Sequence, residues 1–114
     1  MKNLIVLLLL ATAPLFSICA ENWPQFRGPD GNGIALNPDN IPTEWSSSEN
    51  LIWKADLPGK GSSSPIIWKD NIFVTCFSGY GETEGDSGDR KNLKRYLICI
   101  NKTDGELLWN KTIP

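Results

Sequence analysis

From Asn50 onward, apolar residues fall in short runs separated by polar, glycine-containing turns. The runs are "NLIWKADL" (50–57), "PIIW" ending at Trp68, "IFVTCFS" (72–78), "YLICI" (96–100) and "ELLWNKTI" (106–113). Each is rich in β-branched or aromatic residues, which suit a pleated, half-buried surface. No window keeps a helical period over three turns. The turns between the runs are specific: "KDN" joins the second and third runs as a tight hairpin. "NKTDG" puts Gly105 where the chain needs a positive φ. The pattern predicts strands at 64–68, 72–78, 95–100 and 106–113, with a further strand at 50–57, and an all-β fold.

Two stretches break the alternation. Residues 79–95, "GYGETEGDSGDRKNLKR", carry four acids (Glu82, Glu84, Asp86, Asp89) and then four bases (Arg90, Lys91, Lys94, Arg95). They read as a long, solvated hairpin loop, since the acid spacing matches no calcium loop. Residues 21–49 contain four prolines and three glycines between Glu21 and Asn50, too many for a long helix or regular strand. Trp23, Phe26 and Trp45 give that segment aromatic anchors, so it is expected to lie ordered across a larger body.

The start of the chain has another character. Residues 1–20, "MKNLIVLLLLATAPLFSICA", show one base, Lys2, an apolar run from Leu4 to Ala13, a break at Pro14 and a small residue at Ala20. That is the layout of a secretory signal peptide cleaved after Ala20. The apolar run is ten residues long, where a membrane span needs roughly 20. Cys19 offers a lipid-anchoring alternative, which the bulky Ile18 before it disfavours. An exported chain, periplasmic or secreted, is the expectation.

Composition then narrows the classes. Without the leader and its Lys2, 10 basic and 13 acidic residues remain, a formal charge of −3. This mild acidity and the lack of any basic tract argue against nucleic acid and anionic membranes as partners. Histidine is absent, which removes the commonest general base and metal ligand, and with them any Ser-His-Asp set. "LPGKGSSS" is no P-loop, because Gly61 follows Lys60 in place of Ser or Thr. "DGNG" (30–33) lacks the further ligands and closing Glu of an EF-hand. "NKT" occurs at Asn101 and at Asn110, a glycosylation sequon that matters only in a eukaryotic secretory pathway. Cys76 and Cys99 lie on neighbouring predicted strands. Two reduced, buried thiols are the expectation, with a Cys76–Cys99 disulfide as the alternative.

The chain also repeats itself. "NLIWKADLP" overlays "ELLWNKTIP" at a constant separation of 56 residues, with Leu51 on Leu107, Ile52 on Leu108, Trp53 on Trp109, Leu57 on Ile113 and Pro58 on Pro114. Four predicted strands fall within one period, the signature of a β-propeller blade, and the 79–95 loop accounts for the extra length. Within it, "CINKTDGELLW" (99–109) resembles the tryptophan-docking repeat of the pyrroloquinoline quinone (PQQ)-like propeller family, whose pattern is Ala, any, Asp, any, any, Thr, Gly, any, any, any, Trp. Gly105 and Trp109 keep their places, while Cys99 stands for the small Ala, Asn101 for Asp and Asp104 for Thr. "WPQFRGPDGNG" and "LPGKGSSSPIIW" also look like the start of secreted bacterial members of this family.

That resemblance implies a propeller of four-stranded blades. Residues 50–57 would be the closing outer strand of the last blade and 64–113 the first full blade. Trp53 and Trp109 would pack on neighbouring blades. One blade cannot cover its own faces, so the chain is expected to be a truncated form that needs remaining blades or other copies. Two functions are compatible with the family: a non-catalytic scaffold that binds exported proteins or polymers, or the N-terminal part of a quinoprotein dehydrogenase with PQQ and calcium in the ring's channel. No catalytic, cofactor-binding or metal-binding residue can be placed in this stretch, so no cofactor is expected in this chain, and the scaffold is the favoured reading. A small self-standing sandwich is the third, bland alternative, and it would have to bury Trp53, Trp68 and Trp109 without partners.

Overall fold

The computed structural model describes residues 22–35 and 41–113. The expected signal peptide and Cys19 lie outside them. The chain forms one antiparallel sheet of four strands in simple meander order: β1 (Ile66–Trp68), β2 (Asn71–Ser78), β3 (Lys94–Asn101) and β4 (Leu107–Ile113). The only helical turn among the described residues is a short 3₁₀ segment, Arg90–Asn92. The four strands stand within two residues of the positions the alternation predicts, and the fold is all-β. Lys94 and Arg95 belong to β3 and not to the charged loop, since they stand opposite Ser78 and Phe77 in the register of the sheet.

The β1–β2 hairpin is held by a tight turn and by a group from far upstream. Lys69 and Asp70 make a two-residue connection between the paired Trp68 and Asn71, with Lys69 at φ 56. That is an unusual conformation for a side-chain-bearing residue. The Asn22 side chain helps to hold it, accepting from the Lys69 N–H at 2.6 Å.

Register sorts the side chains onto two faces. Ile72, Val74 and Cys76 lie opposite Ile100, Ile98 and Tyr96, and on the same face Ile67 neighbours Ile72. Phe73, Thr75 and Phe77 lie opposite Cys99, Leu97 and Arg95 on the other face, joined there by Ile66 and by Trp109, Lys111 and Ile113. The main core cluster is Val74, Cys76, Ile98 and Ile100, all on the first face, with Trp53 and Ala55 packed against it, and Cys99 is the buried residue of the other face. The segment around residues 53–55 therefore covers one face of the sheet. The second face has no such cover among the described residues.

The strand expected at 50–57 is not formed: these residues join no ladder of the sheet. They meet the sheet by its face, where side chains touch, and not by an edge, where backbone groups pair. The next residues do reach an edge. Lys60 exchanges two backbone hydrogen bonds with Phe77, at 2.9 and 2.8 Å. Gly59 is required beside it, since a Cβ there would collide with the Phe77 carbonyl. At the other end, Trp23 exchanges two bonds with Ile67, at 2.9 and 2.8 Å, and its ring lies over Gly28, which is buried at φ 79. Trp23 is thus an anchor, as its position suggested. Phe26 and Trp45 are not: they are 70% and 73% exposed.

Candidate functional site

The turn between β3 and β4 is built almost wholly from its own polar groups. The Asn101 side chain accepts from the Thr103 N–H at 2.8 Å, and the Asp104 carboxylate accepts from the Glu106 N–H at 2.9 Å. The Gly105 N–H returns to the Asn101 carbonyl at 2.9 Å. Gly105 itself sits at φ 76, a conformation that side chains disfavour. Lys102 is tied to the neighbouring hairpin by its N–H, which donates to the Asp70 carbonyl at 2.9 Å. Asn101, Asp104 and Gly105 therefore hold one turn together.

That turn receives Trp53. The indole N–H donates to the Lys102 carbonyl at 3.0 Å. The ring lies so close to Gly105 that a Cβ there would stand 2.5 Å from Trp53 Cε3 and 2.7 Å from Cδ2. The two glycine requirements, positive φ and a bare surface, coincide at one residue. A half-buried indole of this kind contributes through its flat apolar area and through the N–H bond, which is worth about 1 kcal/mol net. The Lys102 acceptor was invisible in the sequence, because every residue offers a carbonyl.

Trp109 occupies a different setting. It lies opposite Cys99, which in turn lies opposite Phe73, so the three form a row across the second face. The Phe73 and Trp109 rings are 6.0 Å apart, tilted at 50°. Cys99 between them is only 2% exposed, which explains a small residue there. Trp109 remains 42% exposed.

The disulfide alternative fails on register. Cys76 is opposite Tyr96 and Cys99 is opposite Phe73, so the two thiols are three residues out of step and point to opposite faces of the sheet. Both are free and buried. Burial pushes the Cys76 thiol above its ordinary value of 9.0, partly offset by a backbone hydrogen bond from Gly59. Burial likewise raises Cys99.

The acids of the charged loop are used locally. Glu82 accepts from the Gly79 N–H at 2.9 Å, Asp86 from the Gly88 N–H at 3.0 Å and Asp89 from the Lys91 N–H at 2.9 Å. No group of three or more His, Cys, Asp or Glu side chains converges among the described residues. An open groove of about 680 Å³ runs beside the loop, lined by Phe77, Tyr80, Leu93, Arg95, Tyr96 and Ile113 among others. No helix among the described residues is long and apolar enough to cross a membrane.

Fold and site together define an all-β protein whose four-stranded antiparallel sheet carries a turn that docks a tryptophan from elsewhere in the chain. No protein-family model, curated protein or solved structure matches it.

Proposed function

We propose that residues 50–113 are the closing segment and first blade of a PQQ-like β-propeller, and that the ring serves as an exported, non-catalytic binding scaffold. The observation that carries this reading is the dock of Trp53 on Lys102 and Gly105. Trp53 is the sequence equivalent of Trp109, 56 residues earlier. The turn that receives it lies in the very repeat that contains Trp109. By translation along the repeat, Trp109 would reach the matching turn of a following unit and cover it as Trp53 covers this one. The uncovered second face, with Phe73, Leu97, Trp109 and Ile113, is where such a unit would stack. The scaffold function rests on the many chemistries that one fold hosts, and on a sequence in which no catalytic or cofactor-binding residue can be placed.

The test is the intact mass of the exported polypeptide from its own organism, followed by a quinone titration. The expected result is a single polypeptide several times larger than residues 21–114 that binds no quinone in the presence of calcium. A monomer of residues 21–114 with a cooperative unfolding transition would sink the propeller. Stoichiometric, calcium-dependent quinone binding would replace the scaffold with a dehydrogenase.

A further inference from the structure

The two outer edges of the sheet are treated differently. On the β1–β2 side, outward backbone groups have partners: Ile67 pairs with Trp23, Phe77 pairs with Lys60, and the Thr75 N–H donates to Ser63 Oγ at 3.3 Å. On the β4 side, nothing among the described residues pairs with Leu107–Ile113 beyond β3, and all seven residues are exposed.

The ladder fixes which β4 groups face outward. Asn101 donates to the Glu106 carbonyl at 2.8 Å and accepts from the Gly105 N–H at 2.9 Å, so its backbone groups face β4. Orientation alternates along an antiparallel strand. Cys99, Leu97 and Arg95 therefore also face β4, and their partners Trp109, Lys111 and Ile113 face back. Asn110 and Thr112 are left with N–H and C=O directed away from the sheet. The same alternation, carried across β2 and β1, points Phe77, Thr75 and Ile67 outward, where their bonds to Lys60, Ser63 and Trp23 are found.

An unpaired edge is a template for another strand unless proline, charge or brevity guards it. β4 has seven residues, no proline and one charge, Lys111. Its irregularity, opposite Cys99 and Ile100, leaves Trp109 to Ile113 regular.

We propose that β4 pairs with itself: two copies of the chain join antiparallel through Leu107–Ile113, on a two-fold axis at Asn110, into a continuous eight-stranded sheet. Hydrogen bonding, charge and overlap together select this register. Bonds close only where outward groups meet outward groups, which allows Asn110 opposite Asn110, Asn110 opposite Thr112, or Thr112 opposite Thr112. The second arrangement sets Lys111 against Lys111, a like-charge pair that destabilises a sheet. The third overlaps little more than the last three residues of the strand. The first spans the whole strand, brings Leu107 and Ile113 together at its irregular ends, and places Lys111 of each copy opposite Trp109 of the other within the regular stretch. Those two residues form a non-hydrogen-bonded pair, where side chains come closest, and a cation beside an indole is attractive. The pairing leaves the second face uncovered, so it stands or falls separately from the propeller.

The test is sedimentation equilibrium of the full chain over a wide concentration range, with amide exchange as the local readout. The mass is expected to rise from one copy and level off at two, while exchange at Asn110 and Thr112 slows with concentration. Asn110→Pro removes an outward N–H without breaking a bond to β3, and an edge is where proline is tolerated. It is expected to weaken association roughly 10- to 100-fold, with the Trp109 and Lys111 amides still protected. Asn110→Lys, which leaves the backbone alone and sets like charges across the axis, should give the same loss and stands in if the proline variant does not fold. A monomer at every concentration, or growth beyond two copies, overturns the proposal. So does a dimer that survives both substitutions and is abolished by Trp109→Ala, which would put the contact on the open face.

Discussion

Trp53 and Trp109 begin from the same sequence pattern and end in opposite circumstances. Trp53 lies on a covered face, its N–H bonded to Lys102 and its ring against Gly105. Trp109 lies on an open face, with Phe73 as its ring partner and two-fifths of its surface in solvent. The strands beneath the two faces are the same four. What differs is the arrival of a segment from about fifty residues upstream, which converts Val74, Cys76, Ile98 and Ile100 into a core. The sheet therefore makes only half of its own interior. The other half has to be delivered, and the delivered part is a tryptophan on a tether that forms no ladder.

The strongest way to break that comparison is to remove each indole in turn. Trp53→Ala should lower stability by about 3 kcal/mol, near the bottom of the range for burying a large aromatic because the ring is only half-buried. Trp109→Ala should cost less than about 1 kcal/mol, since it gives up mainly one ring contact on an exposed surface. Urea unfolding of both variants decides it. Equal losses would mean that the two faces are not distinct in energy.

Gly105→Ala sharpens the same contrast with a smaller change. The new Cβ enters the space of the Trp53 ring and takes up a left-handed φ, so a loss of about 2 kcal/mol is expected. Gly85→Ala is the matched control. Its φ is 83, but nothing lies within 4 Å of the added atom, so only the backbone part, about 1 kcal/mol, should appear. The difference between the two variants isolates the indole contact. If Gly85→Ala costs as much, Trp53 is not held against the turn.

The parts of this molecule that sequence reveals are those set by neighbours in the chain. Runs such as "IFVTCFS" and "YLICI" give strands because alternation and β-branching act locally. "NKTDG" gives its turn because Asn101, Asp104 and Gly105 bond within five residues. Residues 50–57 look like a strand by the same criteria and are not one, because a strand also needs a backbone partner, which propensity does not supply. The thiols show a related limit. Their presence on adjacent strands was readable, but their opposed faces depend on a register that places Cys76 against Tyr96. Phe26 and Trp45 looked like anchors, yet an aromatic ring anchors only where something receives it, as Gly28 receives Trp23.

The smallest expected effect uses those two thiols as reporters, one on each face. Burial raises both above their ordinary value of 9.0. The folded chain therefore keeps its protons in a window, from about pH 9 upward, where the unfolded chain has released them. By linkage, stability is fully present below that window and falls as pH rises through it. The same burial slows reaction with alkylating reagents, since the thiolate is the reactive form. Trp109→Ala removes one wall around Cys99 and should speed its labelling at about pH 8, leaving Cys76 slow. Trp53→Ala frees the segment that runs on to Gly59 and should do the reverse. Mass spectrometry of the labelled peptides separates the two sites. Parallel acceleration of both thiols in either variant would show that the faces open together, by global unfolding, and the distinction between a delivered cover and an open face would then be lost.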